Sequence, residues 1–566
     1  MDTPLLTGHS LTAEDVYRLA SRPVALGLDG AARARMEAGA RALQTVLSGG
    51  EAVYGVTTGF GDSCTEFFTA EQAEALQQNL LRFLQCGTPP YADARVVRAT
   101  LVIRANCLAN GASGVRPALV ERLLAMVEHD VLPLVPERGS VGASGDLVPL
   151  AYVARALVGE GEVRVAGVLG TAAQAWRDRG LEPLTLRAKE ALGLVNGTSF
   201  MSAFACLTLA GATRLAAAAE ATTALVVEVL RGNVAHYDDF LHRCKPYPGQ
   251  VASARTIRER LRGSGLAVDA DQARAAVPPL ADGTHRHLDR GVQDRYSLRC
   301  APHVLGVLRD TLSWGEQWLR VEINSANDNP LIEVSAGQPV MHSGGNFYGG
   351  HVCQAMDALK TAVASTADLL DRQLALLVDT AYNRGLPANL SGSARLAEPA
   401  LHHGLKGVQL ACSSLTAEAL KLTMPAAVFS RSTECHNQDK VSMGTHAARD
   451  ARTVLELATG VVAHVLLAAC QAADLRGTSL LSPAGRKLHS AVREVSAPLV
   501  GDRPLEKDLA AVAALVRDAP PHVWAVPPPP PTGPPGGGGP VPGSVHRDGP
   551  AYGPPAEPGA EGAADA

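Results

Sequence analysis

The tripeptide Ala-Ser-Gly occurs twice in the chain, at residues 112–114 and 143–145, and the second copy lies in a segment suited to chemistry. Glycines recur there at positions 139, 142 and 145, and a helix is expected to begin near Asp146. Glycine permits tight backbone conformations, and the unpaired N–H groups of a helix N-terminus favour negative charge. This segment therefore predicts a site where negative charge develops on a small group. The first copy reads as a loop leading into an ordinary surface helix.

Three further motifs carry polar side chains suited to such a site. Tyr54 lies in VYGVTTGFGD, whose glycines suit a mobile lid. The ordinary pKa of tyrosine is about 10, so Tyr54 needs a polarised site to act as a base. Asn196 lies in LGLVNGTSF. In VQDRYSLRC, Gln293, Tyr296 and Arg299 would share one face of a helix, where an arginine offers a planar fork for a carboxylate.

Together with these motifs, the segment GSVGASGDLVPLA resembles the signature of the histidine, phenylalanine and tyrosine ammonia-lyases, over about residues 5–520. In that family the Ala-Ser-Gly backbone cyclises and loses two waters to give a methylidene-imidazolone (MIO). Ordinary side chains are nucleophiles, and this route supplies the electrophile that they lack. The resemblance implies that MIO forms from Ala143-Ser144-Gly145 and accepts the substrate amine. It also implies that neither a metal nor a diffusible cofactor is required.

The resemblance assigns roles to individual positions. Tyr54 would remove the β-proton of the substrate, Asn196 would contact MIO and orient the amine, and Arg299 would hold the carboxylate. The implied catalytic residues are Tyr54, Ala143, Ser144, Gly145, Asn196 and Tyr296. The implied substrate-binding residues are Phe83, Leu84, Gln293, Arg299, Asn327, Phe347, Lys406, Glu434 and Gln438.

Two positions bear on the substrate ring. Histidine and tyrosine members of the family usually place a His where this chain has Phe83-Leu84, and histidine members a Glu where it has Gln438. A phenol or imidazole group facing Leu84 would be buried without its partner, a cost of ~1–3 kcal/mol. The pattern resembles the phenylalanine lyases and implies conversion of L-phenylalanine to trans-cinnamate and ammonia.

Several alternatives remain open at this point. The nearest are a histidine or tyrosine ammonia-lyase, because a site that merely fails to reject an added polar group discriminates by only ~10²-fold. A phenylalanine 2,3-aminomutase would use the same electrophile. The distant alternative is an inactive helical scaffold.

The elements expected to position these residues are mostly helices. Thr12 to Asp15 reads as a capping box, and long helical patterns are expected from Asp146 and over 351–379, 403–423 and 446–475. Four short segments are expected as strands: EAVYGV, EVRVAG, LIEVSA and PVMHSG. The resemblance implies a mostly α fold of the aspartase/fumarase type, with a long central helix bundle and small β elements.

The chain is expected to divide into an MIO-bearing part at 1–210, a helix bundle at 211–480, a helical segment at 481–525 and a disordered Pro/Gly-rich tail at 526–566. Lys and Arg total 51 against 56 Asp and Glu, a balance that does not favour nucleic acid. The sequence does not indicate a signal peptide or a membrane span, and its ten scattered cysteines read as free thiols. We expect a cytoplasmic protein that acts on a small amino acid, and the resemblance implies a homotetramer.

Overall fold

The first helix shows how closely the local sequence dictates structure. The computed structural model of the chain describes residues 3–277, 285, 287–288, 291–334 and 338–524. Thr12 caps the helix Ala13–Ala20 by accepting a hydrogen bond from the backbone N–H of Asp15, whose side chain accepts one from the Thr12 N–H. The expected capping box is confirmed, and Val16 and Leu19 turn the apolar face of this helix into the core.

Twenty α-helices account for most of the described chain. In chain order they are α1 Ala13–Ala20, α2 Gly30–Ser48, α3 Ala70–Phe83, α4 Ala94–Leu108, α5 Pro117–Glu128, α6 Leu147–Leu157, α7 Ala172–Arg177, α8 Glu190–Val195, α9 Ser199–Val229, α10 Asp239–Arg243, α11 Pro248–Arg260, α12 Ala270–Ala275, α13 Tyr296–Arg299, α14 Ala301–Glu322, α15 Gly350–Val378, α16 Lys406–Lys421, α17 Gly444–Arg476, α18 Pro483–Arg493, α19 Glu506–Asp518 and α20 Pro521–Trp524.

Nine short strands form four small sheets within the described residues. They are β1 Leu5–Leu6, β2 Gly27–Leu28, β3 Thr88–Tyr91, β4 Val131–Pro133, β5 Pro136–Arg138, β6 Glu162–Val165, β7 Val168–Thr171, β8 Leu331–Glu333 and β9 Val340–His342. β1 pairs with β2 in parallel, while β3 pairs with β5, β4 with β6, β6 with β7 and β8 with β9 in antiparallel fashion. The expected strands at EVRVAG, LIEVSA and PVMHSG are confirmed as β6, β8 and β9.

The core lies between the longest helices. α17 packs against α15 and α9, and α15 packs against α14. Alanine fills much of the contact in α9 and α17, and small side chains let helix axes approach closely. Their bounds confirm the helical patterns expected over 351–379 and 446–475. The mostly α fold with small β elements is confirmed.

One local expectation is wrong. The segment EAVYGV forms a turn in place of a strand, because Gly55 takes a left-handed φ of 64° that no strand accommodates. The helix α5 that follows the first Ala-Ser-Gly buries Leu119, Val120 and Leu123 and exposes Glu121, as an amphipathic helix at the surface does.

The subdivision of the chain stays a prediction. The boundary expected at residue 210 falls within α9. By internal contacts Met1–Val526 form one unit, and the tail expected over 526–566 lies outside the described residues.

Two helices, α9 and α17, are long and apolar enough to cross a membrane by length and composition alone. In each, 72% of the most apolar window is buried inside the protein. A helix at the centre of a packed core has the same composition, so this finding is weak evidence for a membrane span.

Candidate active site

The second Ala-Ser-Gly lies on the short segment between β5 and α6. Two glycines there are required by geometry: Gly142 has φ 67° and Gly145 has φ 69°. A Cβ atom on Gly145 would lie 2.1 Å from the carbonyl oxygen of Gly197, and one on Gly142 would lie 2.2 Å from Ser442 Oγ. Any other residue at either position would be strained and would clash. The glycine spacing noted in the sequence therefore serves close packing around Ser144.

The two copies of the tripeptide have different surroundings. Ser113, in the first copy, is 3% exposed and packs inside the protein. Ser144, in the second, is partly exposed and lines a cavity of about 610 Å³. Of the two serines, Ser144 is therefore the one that a small molecule can reach.

This cavity, here called the serine cavity, collects nine of the residues expected at the site. They come from the turn after α2, from the end of α3, from the segment before α6, from the end of α8 and from the segment before α17. They are Tyr54, Phe83, Leu84, Ala143, Ser144, Gly145, Asn196, Glu434 and Gln438.

One wall of the serine cavity is apolar. Phe83 and Leu84 at the end of α3 form part of it, and Phe83 keeps 60% of its surface exposed. The sequence analysis did not single out the other apolar members, which are Phe60, Phe68, Leu76, Leu80, Val141, Leu147, Val148 and Leu192. Single apolar residues in a helix or loop carry no pattern that separates a cavity wall from ordinary core.

The serine cavity is also lined by polar side chains. Gln438 Nε2 donates to Ser144 Oγ at 3.3 Å. Asn196 is 3% exposed, and its side-chain oxygen Oδ1 has no hydrogen-bond partner among the described residues. A buried acceptor without a donor costs about 1–3 kcal/mol. Asn196 is therefore poised to accept a hydrogen bond from a bound molecule.

Tyr54 lines the serine cavity, and its Oη accepts a hydrogen bond from the Gly61 N–H at 3.0 Å. Burial raises the pKa of Tyr54 above its ordinary value, and the negative charge of Glu434 raises it further, against the opposing hydrogen bond from Gly61. One chain alone therefore does not supply the polarisation that the sequence analysis required for a tyrosine base.

A strained turn closes the cavity next to Tyr54. Glu434, Cys435 and His436 have consecutive left-handed φ angles of 52°, 52° and 65°, each unfavourable for a residue with a side chain. Glu434 Oε1 accepts from the Asp62 N–H at 3.1 Å. A Cβ atom on Gly61 would lie 1.9 Å from the same oxygen. The turn is thus fitted directly against the loop that carries Tyr54.

Asp146, beside the tripeptide, is fully buried, and the motifs did not single it out. Its carboxylate accepts hydrogen bonds from Ser140 Oγ at 2.9 Å and from the Met201 N–H at 2.7 Å. Burial raises the pKa of Asp146 to about 6. Its own N–H donates to the Gly197 carbonyl at 2.7 Å. This N–H is therefore paired with Gly197 and is not available to the tripeptide.

Three expected site residues lie elsewhere in the chain. Gln293, Tyr296 and Arg299 line a second cavity, of about 410 Å³. The helix α13 begins only at Tyr296, so the expectation that all three share one helical face is wrong for Gln293. The Arg299 guanidinium lies 4.5 Å from the centre of the Tyr296 ring, and Tyr296 is 71% exposed. In one chain these groups do not reach Ser144.

Asn327, Phe347 and Lys406 do not line either cavity. Asn327 is buried directly behind Asn196, where its Nδ2 donates to Thr198 Oγ1 at 2.8 Å. Phe347 is partly buried in the loop before α15. Lys406 is exposed at the first position of α16. A single chain thus brings together one part of the expected site and leaves the rest at its surface.

The chain is similar over most of its length to known proteins of one family. The family model described as aromatic amino acid lyase matches residues 11–494. The chain is 38% identical over 517 residues to a histidine ammonia-lyase of Caldanaerobacter subterraneus subsp. tengcongensis, covering 91% of this chain and 97% of that protein. It is 39% identical over 513 residues to a tyrosine ammonia-lyase of Cereibacter sphaeroides, covering 90% and 96%.

Among solved structures, the tyrosine aminomutase of Streptomyces globisporus superposes with a TM-score of 0.84 at 34% identity, covering 91% of this chain and 97% of that one. The expectation that phenylalanine lyases are the closest relatives is not supported, since the curated relatives named here act on histidine and tyrosine. The fold and the ammonia-lyase resemblance are confirmed. The chain belongs to the aromatic amino acid lyase family.

Proposed function

We propose that the protein removes ammonia from an aromatic α-amino acid, and that its preferred substrate is L-phenylalanine, converted to trans-cinnamate. The observation that carries this proposal is the serine cavity. The cavity brings Ser144 together with the apolar side chains of Leu84 and Phe83 and with the polar side chains of Asn196, Tyr54 and Gln438. Such a cavity fits an amino acid whose ring is apolar and whose amine is polar.

The residues around Ser144 fit an MIO group made from Ala143-Ser144-Gly145. Gly142 and Gly145 have no room for side chains, and the unpartnered Asn196 Oδ1 offers the hydrogen-bond acceptor that such a site needs. When formed, this group supplies an electrophilic carbon, which no ordinary side chain provides. No metal or diffusible cofactor forms part of the proposal.

The other steps belong to side chains of the chain itself. Asn196 orients the substrate amine through its free Oδ1. Tyr54 Oη takes the β-proton, and because burial and Glu434 raise its pKa, a cation must approach it to make it an effective base. Before the ring closes, Gln438 orients the Ser144 hydroxyl through the bond of 3.3 Å.

The carboxylate of the substrate needs a cation, and the described residues of one chain place none in the serine cavity. We propose that Arg299 supplies it from another copy in a homotetramer, with Gln293 and Tyr296 beside it. All three lie at a cavity on the surface of their own chain, and Arg299 has the planar fork for bidentate capture. Phe347 and Lys406 join the site in the same way.

The apolar wall supports the choice of ring. A phenol or imidazole group against Leu84, which is 7% exposed, would lose hydrogen bonds to water at a cost of ~1–3 kcal/mol. A phenyl ring loses nothing there and gains by burial. Gln438 provides no charge to pair with an imidazolium ring.

Two other activities have support of their own. Deamination of histidine or tyrosine is favoured by the names of the curated relatives. A 2,3-aminomutase activity is favoured by the similarity to a tyrosine aminomutase structure. We place the protein in the cytoplasm, in keeping with its unpaired cysteines.

One experiment separates these cases. Purified protein is weighed by intact mass spectrometry and incubated with L-phenylalanine, L-tyrosine and L-histidine, following arylacrylates and β-amino acids over time. We expect a chain lighter than its sequence by two waters, with the highest kcat/KM for phenylalanine. A higher kcat/KM for histidine or tyrosine would make that activity the function, and early β-phenylalanine would make the protein a mutase. An unchanged mass would refute the electrophile.

A further inference from the structure

A buried arginine on α4, remote from the substrate side of the cavity, contacts the segment that supports the tripeptide. Arg104 is 1% exposed. Its guanidinium donates from Nη2 to the carbonyl oxygen of Asn196 at 2.9 Å and from Nη1 to Asn327 Oδ1 at 2.9 Å. Nη2 also donates to the carbonyl of Gly193. One planar group therefore binds the last turn of α8 and the start of the loop that follows.

The next residue, Gly197, lies between this guanidinium and the tripeptide. A Cβ atom on Gly197 would lie 2.1 Å from Arg104 Nη1. On its other side, the Gly197 carbonyl oxygen lies 2.1 Å from the place of a Cβ on Gly145, and it accepts from the Asp146 N–H at 2.7 Å. A contact path of three groups therefore leads from Arg104 through Gly197 to Gly145.

Burial of the Arg104 guanidinium costs desolvation free energy. Burial lowers the pKa of Arg104, and the charges of Asp328, Cys107 and Asp146 oppose that effect. Asp328 is 1% exposed and pairs with Lys189 at 2.5 Å. The structure thus holds two buried cations around one carboxylate directly behind the active-site loop, an arrangement whose desolvation cost can exceed its Coulombic gain.

We propose that Arg104 is a positioning residue for the electrophile: it holds Asn196 and Gly197 against Gly145 in the geometry that ring closure of Ala143-Ser144-Gly145 requires. The inference rests on the proposed function. In that closure the Gly145 nitrogen bonds to the Ala143 carbonyl carbon, and the carbonyl oxygen leaves as water with the Gly145 and Ser144 amide hydrogens. A second water takes the Ser144 hydroxyl and the Ser144 α-hydrogen. No oxidant or reductant is consumed.

The reaction is sensitive to placement, because attack by an amide nitrogen needs a close approach to the carbonyl carbon. A displacement of about 1 Å can cost about 10²-fold in rate. Arg104 also fixes the backbone of Asn196, a residue that lines the cavity. Its loss should therefore lower kcat more than it raises KM in those chains that do mature.

The test compares three variants of the full chain: Arg104→Met, Arg104→Lys and the control Arg98→Met. Arg98 is a buried arginine of the same helix, bonded to Asp130 Oδ1 at 2.9 Å and to the Ala20 carbonyl at 3.2 Å. Intact mass gives the fraction of chains lighter by two waters at set times after synthesis. Circular dichroism and Tm report folding, and kcat and KM are expressed per mature chain.

We expect both Arg104 variants to mature at least about tenfold more slowly than the wild type, with Arg104→Lys less affected, while Arg98→Met loses stability but matures fully. Folded Arg104→Met that matures at the wild-type rate would overturn the proposal. Should Arg104→Met not fold, Arg104→Lys decides the case by the same criterion. A wild-type chain without the loss of two waters would overturn the proposed function as well, whereas fully mature variants overturn this inference alone.

Discussion

Asn196 is held through its backbone and left open through its side chain. Its carbonyl is bound by Arg104, whereas Oδ1 is buried without a donor among the described residues, on a residue that lines the serine cavity. A side chain arranged in this way loses little freedom when a ligand binds, because its position is already fixed. A residue that orients an amine needs such a fixed backbone and a side-chain oxygen that is free to accept a hydrogen bond.

Leu84→His tests the ring preference. An imidazole at this apolar wall supplies the hydrogen-bond partner that a phenol lacks, so we expect the ratio of kcat/KM for tyrosine to that for phenylalanine to rise roughly 10- to 100-fold. Steady-state kinetics with both amino acids measure it. Leu84→Met, which keeps the volume but adds no polar atom, serves as the control, and an equal change in both variants would show that shape alone decides.

Glu434→Gln tests the ionisation of Tyr54. Burial and the charge of Glu434 both raise the pKa of Tyr54, so the fraction of tyrosinate, and with it kcat/KM, should rise with pH. Removing the charge lowers that pKa, and the rising limb of the pH profile should move to lower pH. The amide oxygen can still accept from the Asp62 N–H.

Tyr54→Phe is the companion to that measurement. It should remove the rising limb and lower kcat by roughly 10²–10⁴-fold, without changing the intact mass. If kcat/KM of Glu434→Gln rises at the same pH as that of the wild type, the rising limb belongs to the ionisation of another group.

Much of the site was predictable from the sequence because its residues stand in compact motifs. Tyr54, Ser144, Asn196 and Gln438 do line one cavity. The supporting residue Arg104 was not predicted, since a single arginine in an apolar helix shows neither its burial nor its partners. Arg299 was predicted as a site residue, and the homotetramer that the family resemblance implies, with each site drawing residues from three chains, is compatible with its separate cavity; the sharing itself stays a prediction.

At the scale of elements, the strand β5 and the helix α17 are joined by Glu137. Its carboxylate accepts from Arg452 Nη1 at 2.7 Å and Nη2 at 2.9 Å and from Arg449 Nε at 3.0 Å. The tripeptide segment begins immediately after β5. The long helix α17 therefore anchors β5, and with it the start of the segment that carries the tripeptide.

Glu137→Gln should weaken this junction by roughly 1.5–3 kcal/mol at pH 7, the range for hydrogen bonds to charged groups. Burial alone would raise the pKa of Glu137, but the hydrogen bonds and charges of Arg452 and Arg449 bring it below the ordinary value of 4.5. Its stabilisation is therefore present above the unfolded pKa and lost as the pH falls through the folded one. Thermal and denaturant unfolding across pH measure the difference.

The matched control is Glu121→Gln, at an exposed pair with Arg33 whose side chains are 45% and 43% exposed. We expect it to change stability by about 0–1 kcal/mol. Equal losses of stability in the two variants would contradict the anchoring role. So would a difference in unfolding free energy between the wild type and Glu137→Gln that does not become smaller as the pH falls below 4.5, the ordinary pKa of a glutamate.

Helices were the most predictable elements, because long apolar periodicity survives in any packed bundle; the expected segment 351–379 corresponds to Gly350–Val378. The segment EAVYGV failed because its alternating apolar residues suggest a strand, whereas Gly55 and the close contact of Phe60 with it impose a turn. The apolar pattern of a segment does not show that a glycine within it takes a left-handed φ.

At the scale of the whole molecule, we expect activity to require assembly of the homotetramer. The serine cavity and the cavity of Arg299 lie at different places in one chain, so a monomer should be inactive. We expect light scattering to give a mass near four chains, and kcat per chain to fall on dilution as that species dissociates. Full activity in a purified monomer would contradict the shared site.

The separation of Tyr54 from Arg299 has a genetic consequence. If each reaction centre takes these residues from different copies, Tyr54→Phe and Arg299→Ala are two inactive alleles that complement each other. Co-expression in one cell would leave up to about a quarter of the centres with both groups intact, by random assortment of copies in a symmetric assembly. A chain carrying both substitutions would rescue nothing when paired with either single variant.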